Sequence, residues 1–104
     1  MIKIFIDSKE IKKVLSLHGF GDNKDEFFID FILCKKDKGQ KLIAMAIMSK
    51  QTCSFKMTFD NESFSFIGKV IKFERIDGIE DSATIKATIS IFGKIRRLGD
   101  CDAN

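Results

Sequence analysis

Few side chains in this sequence are placed to do chemistry. Three cysteines, Cys34, Cys53 and Cys101, stand far apart with no CxxC pair, and the single histidine, His18, is close to none of them in sequence. A structural zinc site needs about four ligands at recognisable spacing, so no metal and no cofactor is expected. The odd cysteine count fits free thiols in a reducing compartment, with Cys34 and Cys53 inside apolar patterns as small core residues. Nucleophilic catalysis needs a Ser, Cys or Thr beside an oriented base. His18 sits in a glycine-punctuated stretch, His18-Gly19-Phe20-Gly21-Asp22-Asn23, and reads as a surface loop residue. GxSxG, Walker and GxGxxG motifs are missing. Glu80 and Asp81 are adjacent, so on a strand they point to opposite faces, and Asp22 to Glu26 lacks the spacing of a calcium loop. No catalytic residue is assigned, and the chain reads as a non-enzyme.

Composition narrows the remaining classes. A chain of 104 residues with 44% apolar and 32% charged residues is one soluble domain with a modest core. All 11 aromatics are Phe, and Trp, Tyr and Pro are absent. Phe adds buried area without a polar tip, which suits core or interface filling. The net charge of +3 is mild, and Lys and Arg are interleaved with Asp and Glu. The local basic group Lys94, Arg96 and Arg97 is followed by Asp100 and Asp102, and reads as a solvated strand end. The start, Met-Ile-Lys-Ile-Phe-Ile-Asp, is too short and too alternating for a signal peptide. No apolar run approaches the ~20 residues that span a bilayer. A cytoplasmic site of synthesis without a membrane span is expected.

The elements that would carry any site follow from periodicity. Ile2, Ile4 and Ile6 alternate as an opening strand, with Asp7-Ser8-Lys9-Glu10 as a turn. Ile11 to Leu17 is expected to return as a second strand, or as a short helix capped by Asp7 or Ser8. Phe27 to Cys34 reads as a strand with both faces covered. Leu, Ala and Met favour a helix over Gln40 to Lys50, against a buried strand at 42–48. Cys53, Phe55, Met57 and Phe59 alternate on a strand, Asp60-Asn61-Glu62-Ser63 turn it, and Phe64 to Glu74 returns. The apolar set there changes face near Gly68, which predicts a bulge at Ile67-Gly68. Asp77-Gly78 is a turn pair. In the last strand Ala83, Ile85, Ala87, Ile89, Ile91 and Ile95 share a face. The sum is a mainly β fold, an antiparallel β-sandwich or open barrel of six to seven strands with one short helix. One domain covers 1–97, and a tail, 98–104, has little to anchor it.

The stretch from Phe64 to Ile95 runs Phe-x-Phe, then Ile-Gly-Lys-Val-Ile-Lys-Phe-Glu, then Asp-Gly-Ile-Glu-Asp-Ser-Ala, and ends in a long alternating strand closing Ile-Phe-Gly-Lys-Ile. It resembles the C-terminal half of tail tube (major tail) proteins of long-tailed bacteriophages, a superfamily that includes contractile-tail and secretion-tube proteins. The resemblance covers about a third of the chain and contains no catalytic signature. It implies a structural, non-enzymatic subunit that self-associates into rings, commonly hexamers, stacked as a tube through which DNA passes non-specifically. It also implies other tail proteins as partners, a place in the virion tail, and assembly in the host cytoplasm. Candidate subunit contacts are Phe66, Gly68, Asp77, Gly78, Glu80, Asp81, Lys94, Arg96 and Arg97. The alternative is a small OB-like nucleic-acid-binding or phage regulatory module, with Phe64, Phe66 and Phe73 stacking bases beside Lys69 and Lys72.

Overall fold

The computed structural model describes residues 2–21, 25–79 and 82–98. The opening alternation folds as β1 (Lys3–Ile6), with Ile4 and Ile6 fully buried. Asp7 and Ser8, at φ 46° and 72°, make a two-residue turn into β2 (Lys9–Ile11), as mirror-image hairpin turns require. The expected single strand from Ile11 to Leu17 is in fact two. Lys13 takes φ 62° and breaks the extended backbone, and the chain leaves β2 for β3 (Val14–His18) at the other side of the sheet. His18 therefore ends a strand instead of sitting in a loop.

β4 (Glu26–Ile32) buries Phe27, Ile29 and Phe31, and its other face is only partly covered. After it comes α1 (Lys38–Ser49), close to the range expected for a helix. Asp37 caps it by accepting from the Gln40 N–H at 3.0 Å, and Lys50 closes it at φ 58° with its N–H on the Ala46 carbonyl. Ile43 and Ala46 face inward, whereas Met45 and Met48 stay exposed. β5 (Thr52–Phe59) and β6 (Glu62–Asp77) are joined by Asp60 and Asn61 at φ 52° and 61°. β7 (Thr84–Leu98) completes the chain's described part.

The seven strands form one antiparallel sheet in the order β2-β1-β5-β6-β7-β4-β3. Its two outermost strands, β2 and β3, are joined by only Lys12 and Lys13, so the sheet must curl until its edges meet. The result is an open barrel, as expected. α1 fastens the seam. The Gln40 amide donates to the carbonyls of Lys12 and Ile32, each at 2.9 Å, and accepts from the Cys34 N–H at 2.7 Å. Asp37 also accepts from the Lys12 N–H at 3.2 Å, and the Ile32 N–H donates to the Lys13 carbonyl. Gly39 lies so close to β2 that a Cβ there would meet the Glu10 carbonyl oxygen at 2.2 Å.

Phenylalanines build the core, as their number suggested. Phe55 and Phe66 stack at 5.4 Å, and Phe27 meets Phe66 edge-on. Phe20, from the segment after β3, packs against Phe27, Phe59, Phe64 and Phe66. Offset and edge-to-face pairs of this kind add to the burial energy of each ring.

Candidate assembly surfaces

β6 and β7 are 16 and 15 residues long, enough for a ribbon on the order of 50 Å, and the molecule measures 48 × 27 × 24 Å. Their flanking partners are staggered. β5 pairs with β6 only from Phe59↔Glu62 to Thr52↔Lys69. β4 pairs with β7 only from Ile32↔Thr84 to Glu26↔Ser90, with one further bond from the Ile91 N–H to the Asp25 carbonyl. Beyond those limits, among the described residues, the second halves of both strands pair only with each other. Each therefore carries an edge with no further strand partner, 71–77 on β6 and 92–98 on β7, at opposite ends of the ribbon, and α1 packs against β6 near Phe73.

The irregularities of the ribbon lie elsewhere than the alternation suggested. Register shifts occur at Ser65/Ile67, Val70/Lys72 and Arg75/Asp77. At the first, the extra residues belong to β7, where Gly93 has φ 77°. Phe66, Gly68 and Val70 still share the inner face, so β6 changes phase at Ile71 and not at Gly68. Gly68 is needed for space instead: a Cβ would stand 2.9 Å from Ile89 Cγ2 and 3.1 Å from the Phe55 ring. Ile95, just beyond the Gly93 bulge, is 37% exposed.

The remaining contact candidates separate into three places. Phe66 is a core residue, 5% exposed, on a stretch of β6 flanked by β5 and β7, so its ring is not at a surface. Asp77 and Gly78 form the ribbon tip. The Asp77 carboxylate accepts from the Gly78 N–H at 2.8 Å, Gly78 has φ 79°, and a Cβ there would strike the Ser82 carbonyl oxygen at 2.6 Å. Ser82 bonds back to the Ile79 carbonyl, leaving the Ile79 side chain 75% exposed. Glu80 and Asp81 lie outside the described residues. Lys94 and Arg96 are exposed at the far end, on β7, where Arg97 is ion-paired to Glu62 of the same chain. Exposed Ile67, Ile71, Ile76, Phe92 and Ile95 run along the ribbon.

The stacking platform considered for nucleic acid does not come together. Phe66 and Phe73 point to the inner face, Phe73 toward Phe31. Lys69 and Lys72 alternate to the outer one.

One polar cluster was not apparent in the sequence. Ser16 Oγ donates to Asp30 Oδ2 at 3.0 Å, and His18 Nε2 lies 2.9 Å from Ser16 Oγ and 3.5 Å from Asp30 Oδ2. His18 stacks on Phe28, and Lys86 Nζ sits 4.1 Å above that ring. These are the residue types of a hydrolytic triad in a different arrangement. A triad uses the two ring nitrogens for two partners, whereas here Nε2 meets both and the serine proton is committed to Asp30. The cluster was hidden because β3 and β4 had to be paired before Ser16 and Asp30 became neighbours. The Cys53 thiol is also unsuited to attack. Burial, and then the Asp7 carboxylate, push its pKa above the usual thiol range, which disfavours the reactive thiolate. Among the described residues, no group of His, Cys, Asp and Glu could hold a metal ion, and no helix is long and apolar enough to cross a membrane.

No protein-family model and no curated protein matches the sequence. Solved structures do match the fold. The SPP1 tail tube subunit superposes with a TM-score of 0.70 at 12% identity, over 92% of this chain and 75% of that one. Hcp2 from Salmonella typhimurium gives 0.66 at 11% identity, over 88% of this chain and 80% of that one. At these identities the likeness is one of architecture, and the architecture of this chain is that of a tail tube subunit.

Proposed function

We propose that this chain is the structural, non-enzymatic subunit of a phage or phage-derived tail tube. It self-associates head to tail into rings, hexameric by preference, which stack around a channel that DNA traverses non-specifically. Other tail proteins join it in the virion tail, after assembly in the host cytoplasm. The observation that carries the reading is the stagger of β6 and β7. Two open edges of different sequence, at opposite ends of one ribbon, suit a contact in which the β7 edge of one copy meets the β6 edge of the next. Contacts between unlike surfaces close into rings or propagate as filaments. The exposed isoleucines along the ribbon supply apolar surface for that contact. The likeness in fold to the SPP1 tail tube supports the same reading. In it, the tip at Asp77 and Gly78, with Glu80 and Asp81 in sequence beside it, meets Lys94 and Arg96 of a neighbour, and Arg97 holds the end of β7 through Glu62.

Sizing and negative-stain electron microscopy of the purified chain test this. Rings or tubes are expected, and Ile76→Lys or Ile95→Lys should shift the population toward folded monomer. A strict monomer at every concentration sinks the proposal.

A further inference from the structure

Lysines gather where the barrel is seamed. Lys9 lies on β2, Lys12 and Lys13 follow it, Lys35 and Lys36 lead into α1, and Lys38 and Lys41 stand at its start, all seven exposed. The bonds that close the seam bring the two groups together, with the Lys12 N–H on Asp37 and the Gln40 amide on the Lys12 carbonyl. Three carboxylates stand close by. Asp37 is buried and takes the N–H groups of Gln40 and Lys12, Glu10 is half-buried on β2, and Asp7 accepts from the Ser54 N–H on β5. Setting all three against the seven lysines leaves an excess of four, more than the +3 of the whole chain. Among the described residues none of the seven is ion-paired. Lys38 and Lys41 also stand at the positive end of the helix dipole, with no acidic side chain in the first turn. So close a set of like charges lowers the stability of the fold, and an acidic partner would relieve it.

Apolar surface adjoins the lysines. On the β2 side of α1 a recess of 280 Å³ is lined by Lys9, Lys12, Lys36 and Lys38, with Glu10 and Asp37. On the β6 side a groove of 240 Å³ runs between Leu33, Cys34, Ala44 and Phe73, with Lys35 and Lys41 among its walls. Lys38, Lys41, Met45 and Met48 fall on one stripe of α1 at helical spacing. Met45 and Met48 are 63% and 83% exposed. One end of the stripe is thus cationic and the other apolar. A nucleic-acid backbone offers nothing to fill the groove or to cover two methionines. A peptide with acidic and large apolar side chains answers both, and methionine adapts its shape to such a partner.

We infer that the outer stripe of α1 and its two flanking recesses bind an acidic segment of another protein that carries large apolar side chains. Its carboxylates meet Lys12, Lys36, Lys38 and Lys41. One apolar side chain enters the groove beside Phe73, and another covers Met45 and Met48. None of the cations at the ribbon end takes part, and the inference does not depend on the tube reading.

The test is fluorescence anisotropy of labelled probes against the full chain over a salt series. The probes are a peptide alternating glutamate with leucine, the same peptide with glycine for leucine, and a DNA duplex. The leucine peptide should bind at low salt and loosen as salt rises. It should bind about tenfold tighter than the glycine peptide, the gain from burying an apolar side chain. In a chain carrying Cys53→Ser and Cys101→Ser, it should also slow alkylation of Cys34 in the groove. Lys38→Glu with Lys41→Glu should weaken binding about tenfold or more. The same pair should raise the melting temperature, because carboxylates suit a helix N-terminus, so that loss of binding cannot come from unfolding. Met45→Ser with Met48→Ser should weaken the leucine peptide about threefold or more and leave the glycine peptide unchanged. Lys56→Glu with Lys69→Glu makes the same charge change away from α1 and should stay within about twofold. The inference is overturned by no peptide binding at low salt, by equal binding of the two peptides, or by DNA binding tighter than the leucine peptide with the same losses. Loss of rings or tubes in the Met45 and Met48 variant also overturns it, by making the face a contact between copies. Sizing in the same buffers keeps the two readings apart: tubes that ignore the peptide overturn this inference alone, and a monomer that binds it overturns only the tube.

Discussion

The two halves of β6 share one backbone and live in different surroundings. From Glu62 to Lys69 the strand lies between β5 and β7, and its inner side chains, Phe66 above all, are packed among rings. From Ile71 to Asp77 β7 is its only strand partner, and its side chains are mostly exposed. β7 repeats the contrast in reverse, buried in its first half and open in its second. The first halves account for the stability of the subunit, and the second halves are available to something outside it. Substitutions should therefore act on folding in one half and on association in the other.

The largest effect is expected at the packed half. Phe66→Ala removes a ring that touches Phe20, Phe27 and Phe55 and should cost about 3–5 kcal/mol in urea unfolding. Gly68→Val adds volume against Ile89 and Phe55. It should cost about 1–3 kcal/mol, so a loss of assembly there would follow from a damaged fold and would say nothing about a bulge. Gln40→Ala removes three hydrogen bonds across the seam and leaves buried backbone groups unpaired, also for about 1–3 kcal/mol. In the open half, Ile76→Lys should change stability by no more than about 0.5 kcal/mol while reducing assembly. If it instead unfolds the chain, the division of labour between the halves is wrong.

The smallest effect concerns Cys53. Its folded-state pKa is raised, so the fold favours the neutral thiol. That contribution to stability is present below the unfolded thiol pKa and is lost as pH rises through the higher folded value. In a chain carrying Cys34→Ser and Cys101→Ser, alkylation of Cys53 near neutral pH should be slower folded than in urea, and the gap should narrow at alkaline pH. Equal rates throughout would show that the thiol is not protected.

The packed halves were also the legible ones. Phe55 and Met57, or Ile85, Ala87 and Ile89, alternate in the sequence because each faces one interior, and the barrel class and the helix followed from such runs. Legibility failed where the backbone left regular extension without a warning residue. Lys13 at positive φ splits the N-terminal strand, and nothing in its side chain announces this. Ile71 is an extra residue set by the register of its partner, which one strand's sequence cannot display. The Gly68 signal was genuine, but its cause is the Phe55 ring on the neighbouring strand. The contact candidates fared by place: the tip and the basic end are at the surface, and Phe66 is not.

The two-residue link between β2 and β3 also bears on folding rate. Lys12 and Lys13 join the barrel's opposite edges, so the barrel closes only when β1 has found β5, with Ile6 opposite Phe55. That pairing spans nearly half the sequence, and long loops must lose their entropy before such contacts repay it. Closure is therefore expected late, after the β5–β6 and β6–β7 hairpins have formed from local contacts. Until then the ribbon and its open edges stand exposed on an unfinished subunit. For a chain of this topology, the order of events during synthesis governs whether those edges first meet their own barrel or another copy.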